Sequence, residues 1–157
     1  AAHTMDGRVV SSTAIRGALS RGDVTDAARM LGRPFSLSGP VVTTSRRGES
    51  LGFRTANLVT DTGRALPANG VYATIATIPN GQFGSVTNVG HRPTFGDTER
   101  IVETHILDFS GDLYGATLTV EFIARIRDEI AFQDPQALIA QIHRDVEAAR
   151  GILGERV

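Results

Sequence analysis

The 157-residue sequence contains no cysteine and no long apolar run. Without cysteine the chain can form neither a disulfide framework nor a thiolate metal site, and it has no catalytic thiol. Because disulfides are typical of secreted domains, their absence is consistent with a cytoplasmic protein, which we predict. No apolar run approaches the roughly 20 residues that a membrane-spanning helix needs, so we expect no membrane partner.

The sequence also lacks an excess of charge of one sign. It carries 16 basic and 17 acidic side chains, which gives a formal net charge of −1. Bulk electrostatic binding to nucleic acid is therefore not indicated, and we expect no nucleic-acid partner. Apolar residues make up 41% of the chain, which is enough for a core, and the length suits one domain with a short appendage.

The hydrophobic pattern changes near Phe35, from helical to strand-like. Residues 11–22 and 23–34 are predicted to form short helices; Asp23 can cap the second and Gly32 can end it. After Phe35, segments rich in β-branched residues alternate with turn signals, among them "PNG" at 79–81 and "HRPTFGDTER" at 91–100. A final helix is predicted after Asp134, with an apolar stripe formed by Leu138, Ile142, Val146 and Ala149.

The order of these segments indicates a fold class. Strands that follow one another without intervening helices must pair largely in antiparallel fashion. Five or six such strands in the middle of a short chain indicate a small barrel or a sandwich. The closing helix has one apolar stripe, so we expect it to pack against that sheet.

Polar residues concentrate in a few places. The first is the loop at 44–50 and the segment that follows it, where glycines and arginines could wrap phosphates or could merely form a turn. Thr55 and Asn57 would point to the same face of a strand. Their oxygens suit Mg²⁺, although on spacing alone a pair at a strand end that bonds its own backbone is the commoner explanation.

Two further places contain carboxylates. If Val102 and Ile106 face the core, Glu103 and His105 face the other way. Glu103 could then be a general base or simply a solvated strand residue. The segment at 126–132 includes Arg127 and Glu129, which composition alone describes as a solvated connection or a local ion pair.

Eight short motifs follow one another along the chain in the same order as in a known protein family, which makes the match far more specific than any single motif. They are "GPVV" (39–42), "LGFRTANL" (51–58), "LPANGVYA" (66–73), "NVGHRPTFG" (88–96), "VETHILDF" (102–109), "DLYG" (112–115), "VEFIARIRDE" (120–129) and "LIAQIHRDVEAAR" (138–150). From about Phe35 onward the chain resembles the riboflavin kinase module of bacterial bifunctional FAD synthetases. Residues 10–35 resemble the end of the adenylyltransferase module that precedes the kinase in those enzymes.

The resemblance implies a domain division and a fold. Residues 1–34 would be the tail of the adenylyltransferase module with its linker, and residues 35–157 would be the riboflavin kinase domain. The rest of that adenylyltransferase module would belong to a longer parent chain, so this chain alone should not make FAD. The implied fold is mainly β, a six-stranded antiparallel Greek-key barrel with a C-terminal packing helix and short N-terminal helices.

The resemblance also implies a reaction and its residues. Riboflavin and ATP would give FMN and ADP with the help of Mg²⁺, Glu103 acting as the catalytic base and Thr55 and Asn57 holding the metal. Flavin contacts are implied for Arg127 and Glu129. Nucleotide contacts are implied for Arg47, Gly48, Ser50, Gly52, Phe53, Arg54, Thr55 and Asn57.

One departure leaves an alternative open. Arg54 stands where the family usually has proline, which fixes φ and lacks an N–H group. Arginine restores both freedoms and adds a charge beside the expected phosphates. The alternative is therefore a non-catalytic or weakened flavin- or nucleotide-binding module.

Overall fold

The computed structural model describes residues 3–5, 8–44, 54–60, 65–94, 97–154 and 156. It has three helices within these ranges: α1 (Ser12–Ser20), α2 (Val24–Leu31) and α3 (Pro135–Leu153). The strands are β1 (His3–Met5), β2 (Arg8–Val10), β3 (Phe35–Thr44), β4 (Ala56–Leu58), β5 (Gly70–Ile78), β6 (Gly81–Thr94), β7 (Asp97–Ile106) and β8 (Thr117–Arg127). None of these helices is long and apolar enough to cross a membrane.

Six of the strands close into a barrel. Their order around it is β3-β4-β7-β6-β5-β8, and every neighbouring pair is antiparallel. Strand β4 lies beside β7 and not beside β5, which is the Greek-key connection. The predicted six-stranded antiparallel barrel with a C-terminal helix is confirmed, and β1 and β2 form a separate hairpin.

The helix ends lie where the capping residues predict them. The Asp23 carboxylate accepts a hydrogen bond from the Asp26 backbone N–H at 2.9 Å, at the start of α2. Gly32 ends that helix in the left-handed conformation, with φ at 75°. Asp134 caps α3 in the same way as Asp23 caps α2, through the N–H of Ala137 at 2.7 Å.

The prediction that all of residues 91–100 form a turn is wrong. Strand β6 continues to Thr94 and β7 begins at Asp97, and their register runs without a break from Ser85 opposite Ile106 to Thr94 opposite Asp97. Only residues 95 and 96 are left for the connection, and they lie outside the described residues. Glycine, proline and charged residues indicate a loop, but a ladder is held by backbone hydrogen bonds and tolerates polar side chains.

Alternation along β7 divides the barrel into an inner and an outer face. Val102, Thr104 and Ile106 are buried inside, whereas Glu103 and His105 are half-buried and point outward, as predicted. Part of the outer face is covered by α3. The buried residues of this outer cluster are Ala73, Ile75, Ala149 and Leu153.

The N-terminal helices share the inner core of the barrel. Leu19, Val24 and Ala27 belong to the same apolar cluster as Tyr72 and Phe122 of β5 and β8. A hydrogen bond of 2.8 Å joins the Leu19 carbonyl to the N–H of Ala68, just before β5. The predicted division at residue 34 therefore separates two sequence motifs whose residues pack together, and it stays a prediction.

A chain of hydroxyl groups crosses the barrel interior. Thr74 is 2.6 Å from Ser85 and 2.8 Å from Thr87, oxygen to oxygen, and Thr87 is 3.0 Å from Thr104. All four residues are buried. We call these residues the hydroxyl ladder; it links β5, β6 and β7 through the core.

Replacing Thr87 with valine is expected to lower the free energy of unfolding by about 1–3 kcal/mol. Valine keeps the shape of threonine but leaves the hydroxyls of Thr74 and Thr104 with one partner fewer in a buried place. Urea unfolding measures the change. The matched control is Thr117→Val on the exposed part of β8, where we expect a change within about 0.5 kcal/mol. Equal urea midpoints for Thr87→Val and the parent would show that the ladder adds no net stability.

Candidate functional site

The site is built around Glu103, on the outer face of the barrel. Glu103 lies on β7 directly opposite Asn57 of β4 on one side and Asn88 of β6 on the other. Side chains directly opposite each other on neighbouring strands have Cβ atoms about 4.5–5.5 Å apart. The register therefore places a carboxylate between two amides, and we call these three residues the polar row.

Thr55 joins the polar row from the entrance of β4. Its hydroxyl donates a hydrogen bond of 3.3 Å to Oε2 of Glu103. Ala56 and Leu58 are buried on the opposite side of this short strand, so Thr55 and Asn57 share the outer face, as their spacing predicts. The structure thus brings together the three residues that the resemblance assigns to metal and base.

The backbone next to Thr55 is held by His105. Its Nδ1 lies 2.8 Å from the carbonyl oxygen of Arg54, so the ring N–H donates to that oxygen. Beside Thr55 there is a cavity of about 30 Å³, whose wall includes the side chains of Phe109 and Leu113. Arg54 also lines this cavity, and so do Thr104 and Ile106, which face the barrel interior. The cavity therefore lies toward the interior and meets the site at Thr55.

The other predicted nucleotide contacts cannot be placed. Residues 45–53 lie outside the described residues. The predicted contacts in this range stay predictions; they are Arg47, Gly48, Ser50, Gly52 and Phe53.

Glu129 reaches the site from the segment after β8. A Cβ atom built on Gly90 would lie 3.1 Å from Cδ of Glu129 and closer still to Oε2. Gly90 is two residues beyond Asn88 on β6, so both face outward. The Glu129 carboxylate therefore occupies the space that any side chain at position 90 would need, next to the polar row.

Arg127, the other predicted flavin contact, is held by α3. Its Nε lies 2.9 Å from Oδ1 of Asp145 and its Nη2 lies 2.8 Å from Oδ2. The side chains are only 17% and 5% exposed, and Gln141 donates a further hydrogen bond of 2.9 Å to Asp145. This ion pair joins residues 18 positions apart, so it is not the local pair within 126–132 that composition left open, and the guanidinium fixes the end of β8 to the helix.

The apolar stripe predicted for α3 needs a correction here. Ala149 is buried, but Leu138, Ile142 and Val146 are only partly buried. Asp145 is buried instead, because its carboxylate is paired with Arg127. A charged residue thus takes a central place on the packing face, which apolar periodicity does not predict.

The donor set of the site fits magnesium. Around Glu103 the available ligand atoms are oxygens: a hydroxyl on Thr55, an amide oxygen on Asn57 and the carboxylate itself. Mg²⁺ prefers oxygen ligands and is usually held by few protein groups together with waters and phosphates. In the part of the chain that the structure describes, no group of three or more His, Cys, Asp or Glu side chains could hold a metal.

Sequence reasoning missed Asn88 as a member of the site. The residue lies in the motif "NVGHRPTFG", but nothing in its own spacing relates it to Glu103. That relation is a property of the β6–β7 register, which places the two residues opposite each other. A prediction of one long hairpin would have given the pairing of Asn88 with Glu103. The sequence instead indicates a turn over all of residues 91–100.

The structure shows a closed β-barrel domain with a row of oxygen-bearing side chains on its outer face, which is the candidate site. The sequence model described as flavokinase, riboflavin kinase, matches residues 31–153. The chain belongs to the riboflavin kinase family.

Curated relatives match nearly all of the chain. The bifunctional riboflavin kinase/FMN adenylyltransferase of Haemophilus influenzae is 39% identical over 147 residues, which is 93% of this chain and 47% of the relative. The protein of the same name from Pseudomonas fluorescens is 42% identical over 149 residues, 94% of this chain and 48% of its own length. The chain therefore spans about half the length of these relatives.

Solved structures agree with the fold. A Streptococcus pneumoniae protein described as a macrolide-efflux protein aligns with a TM-score of 0.88 at 36% identity, over 95% of this chain and 49% of its own. Riboflavin kinase from Trypanosoma brucei aligns with a TM-score of 0.56 at 28% identity, over 78% of both chains.

Proposed function

We propose that the chain transfers the γ-phosphoryl group of ATP to the 5′-hydroxyl of riboflavin and so makes FMN and ADP. One observation carries the proposal: in a chain of the riboflavin kinase family, Glu103 lies between Asn57 and Asn88 and accepts a hydrogen bond from Thr55. Phosphoryl transfer depends on positioning and charge stabilisation more than on covalent catalysis. A rigid row of polar side chains on a barrel suits that requirement.

Glu103 is the proposed general base. Its carboxylate takes the proton of the 5′-hydroxyl while the hydroxyl oxygen bonds to the γ-phosphorus, and the bond from that phosphorus to the β-phosphate bridging oxygen breaks to release ADP. The hydrogen bond from Thr55 to Oε2 orients the carboxylate and leaves Oε1 to receive the substrate proton. The strand backbone on both sides fixes its position.

Thr55 and Asn57 are the residues that would hold Mg²⁺ together with the ATP phosphates. When bound, the ion neutralises charge on the phosphate oxygens. Asn57 sits directly opposite Glu103 in the ladder, so a ligand held by Asn57 lies beside the base. This neighbourhood supports a shared site for the metal, the phosphates and the hydroxyl.

The nucleotide and the flavin would approach Glu103 from different sides. Arg54 and the cavity with Phe109 in its wall lie next to Thr55, which supports the nucleotide side. The carboxylate of Glu129 lies over Gly90, beyond Asn88, which supports the flavin side. Arg127 would act there by holding the end of β8 through Asp145.

The remaining proposals concern the parent protein. The relatives are bifunctional and the chain spans about half their length, which supports a longer parent with an adenylyltransferase module. FAD synthesis would belong to that parent and not to this chain. Residues 1–34 would be the end of that module, and the cytoplasmic location also stays a prediction.

We expect the purified chain, incubated with riboflavin, ATP and Mg²⁺, to form equal amounts of FMN and ADP. Liquid chromatography of the flavins and nucleotides measures both. Omission of the metal, with EDTA present, should abolish the products. Riboflavin binding without ADP formation would overturn the proposal and favour the alternative of a weakened binding module, for which Arg54 in place of the usual proline is the supporting residue. FAD in the product would contradict the proposal that its synthesis needs the parent chain.

A further inference from the structure

Asn88 carries a buried oxygen that the fold leaves unused. Its Oδ1 atom is inaccessible to solvent and accepts no hydrogen bond from any residue that the structure describes. Buried polar atoms in folded proteins nearly always have a partner, and an exception calls for an explanation. Because Asn88 lies opposite the proposed base, a ligand is a physical explanation for this oxygen.

The neighbouring side chains cannot supply the missing proton. Ionised Glu103 and Glu129 only accept hydrogen bonds. The Thr55 hydroxyl already donates to Glu103. The backbone N–H groups on either side belong to the continuous β6–β7 and β5–β6 ladders. None of these groups of the described chain donates to Oδ1, so the donor comes from outside the chain, as a water or as a hydroxyl or amine of a ligand.

The distance between Glu103 and Asn88 in the polar row determines how far apart two hydrogen-bonding groups of a ligand must be. Glu103 and Asn88 occupy directly opposed positions on adjacent strands, so their side chains can bind two groups that are neighbours in one ligand. A polyol chain has this property, because it carries a hydroxyl on each successive carbon. The ribityl chain of riboflavin is such a polyol.

We infer that Asn88 is a substrate-binding residue whose Oδ1 accepts a hydrogen bond from the 4′-hydroxyl of riboflavin, next to the 5′-hydroxyl that Glu103 deprotonates. This inference rests on the proposed function. The amide oxygen binds the hydroxyl next to the reacting one, and this hydrogen bond aligns the polyol along the polar row. Because Oδ1 is covered in the free protein, the side chains around it move aside when riboflavin binds, and the oxygen then gains its partner.

The test compares Asn88→Ala with the parent chain. We expect riboflavin to bind about 5- to 10-fold more weakly, as measured by quenching of flavin fluorescence, and its KM to rise by a similar factor with the KM for ATP unchanged. The urea midpoint should stay the same or rise, because the substitution removes a buried atom without a partner. The control is Asn80→Ala in the exposed β5–β6 turn, which should change none of these values.

A ligand lacking the hydroxyl distinguishes binding from a structural role. The parent should bind 4′-deoxyriboflavin about 5- to 10-fold more weakly than riboflavin, whereas Asn88→Ala should bind both equally. Unchanged riboflavin affinity in Asn88→Ala would overturn the inference, and so would discrimination that persists in the variant. Because binding is measured directly, a parent that binds riboflavin but makes no FMN contradicts the proposed function and still tests Asn88.

Discussion

Replacing Glu103 with glutamine is expected to lower kcat for FMN formation by about 10²–10⁴-fold, the range attributed to a positioned general base. Glutamine has the same size and can still accept the hydrogen bond from Thr55 through its amide oxygen, but it cannot take the substrate proton. Riboflavin affinity and the urea midpoint should therefore stay close to the parent values. Steady-state kinetics with both substrates, together with fluorescence binding of riboflavin, measure the separation.

The matched control is Glu121→Gln on β8. Glu121 is also half-buried, on a strand where its buried neighbours Val120 and Phe122 face inward. It lies in the same barrel but outside the polar row, so kcat should not change. Turnover of Glu103→Gln at the parent rate would show that another group takes the proton.

Replacing Asp145 with alanine is expected to lower the free energy of unfolding by about 3–5 kcal/mol. The substitution leaves the Arg127 guanidinium, 17% exposed, without its bidentate partner, and it removes the acceptor of the Gln141 hydrogen bond. The cost comes mainly from a desolvated charge that has lost its counter-ion. Urea unfolding followed by circular dichroism measures the change.

Two further variants test this explanation. Asp108 forms an exposed bidentate pair with Arg150, which lowers the pKa of the Asp108 carboxyl. Asp108→Asn should have little effect on stability, because solvent screens an exposed pair and asparagine tolerates the left-handed backbone of this residue, with φ at 57°. The double variant Arg127→Met/Asp145→Leu should recover most of the stability lost in Asp145→Ala, since apolar residues can replace a buried pair. A double variant as unstable as Asp145→Ala would show that the charge is not the cause.

Much of the fold and the centre of the site followed from side-chain periodicity. The alternation at 102–107 predicted the outward position of Glu103, and the two-residue spacing predicted that Thr55 and Asn57 share a face. Both are local properties of a strand, so a single sequence is enough to see them. Strands without helices between them predicted a small barrel or a sandwich, and the resemblance to riboflavin kinase modules implied the six-stranded barrel.

The contacts that depend on register and on distant partners could not be predicted in this way. Asn88 meets Glu103 because β6 continues to Thr94 and β7 begins at Asp97, whereas the polar residues of this segment indicate a turn. Asp145 pairs with Arg127 across α3 and β8, and an apolar stripe gives no signal for a buried charge. Such contacts are decided by tertiary packing and by backbone pairing, which the local pattern does not contain.

The hydroxyl ladder also affects the polar row on the opposite side of the sheet. Thr87 meets Thr104 in the interior, and the next residues along the same two strands, Asn88 and Glu103, meet on the exterior. A slip of β6 against β7 by a single position would turn Thr104 outward and push the carboxylate into the apolar interior. The hydroxyls of Thr87 and Thr104 meet in this register of β6 and β7, so the ladder favours this register over the others. The hydroxyl pairs thus add a second constraint on the register, beside the one that burial of Val102 and Ile106 imposes on β7.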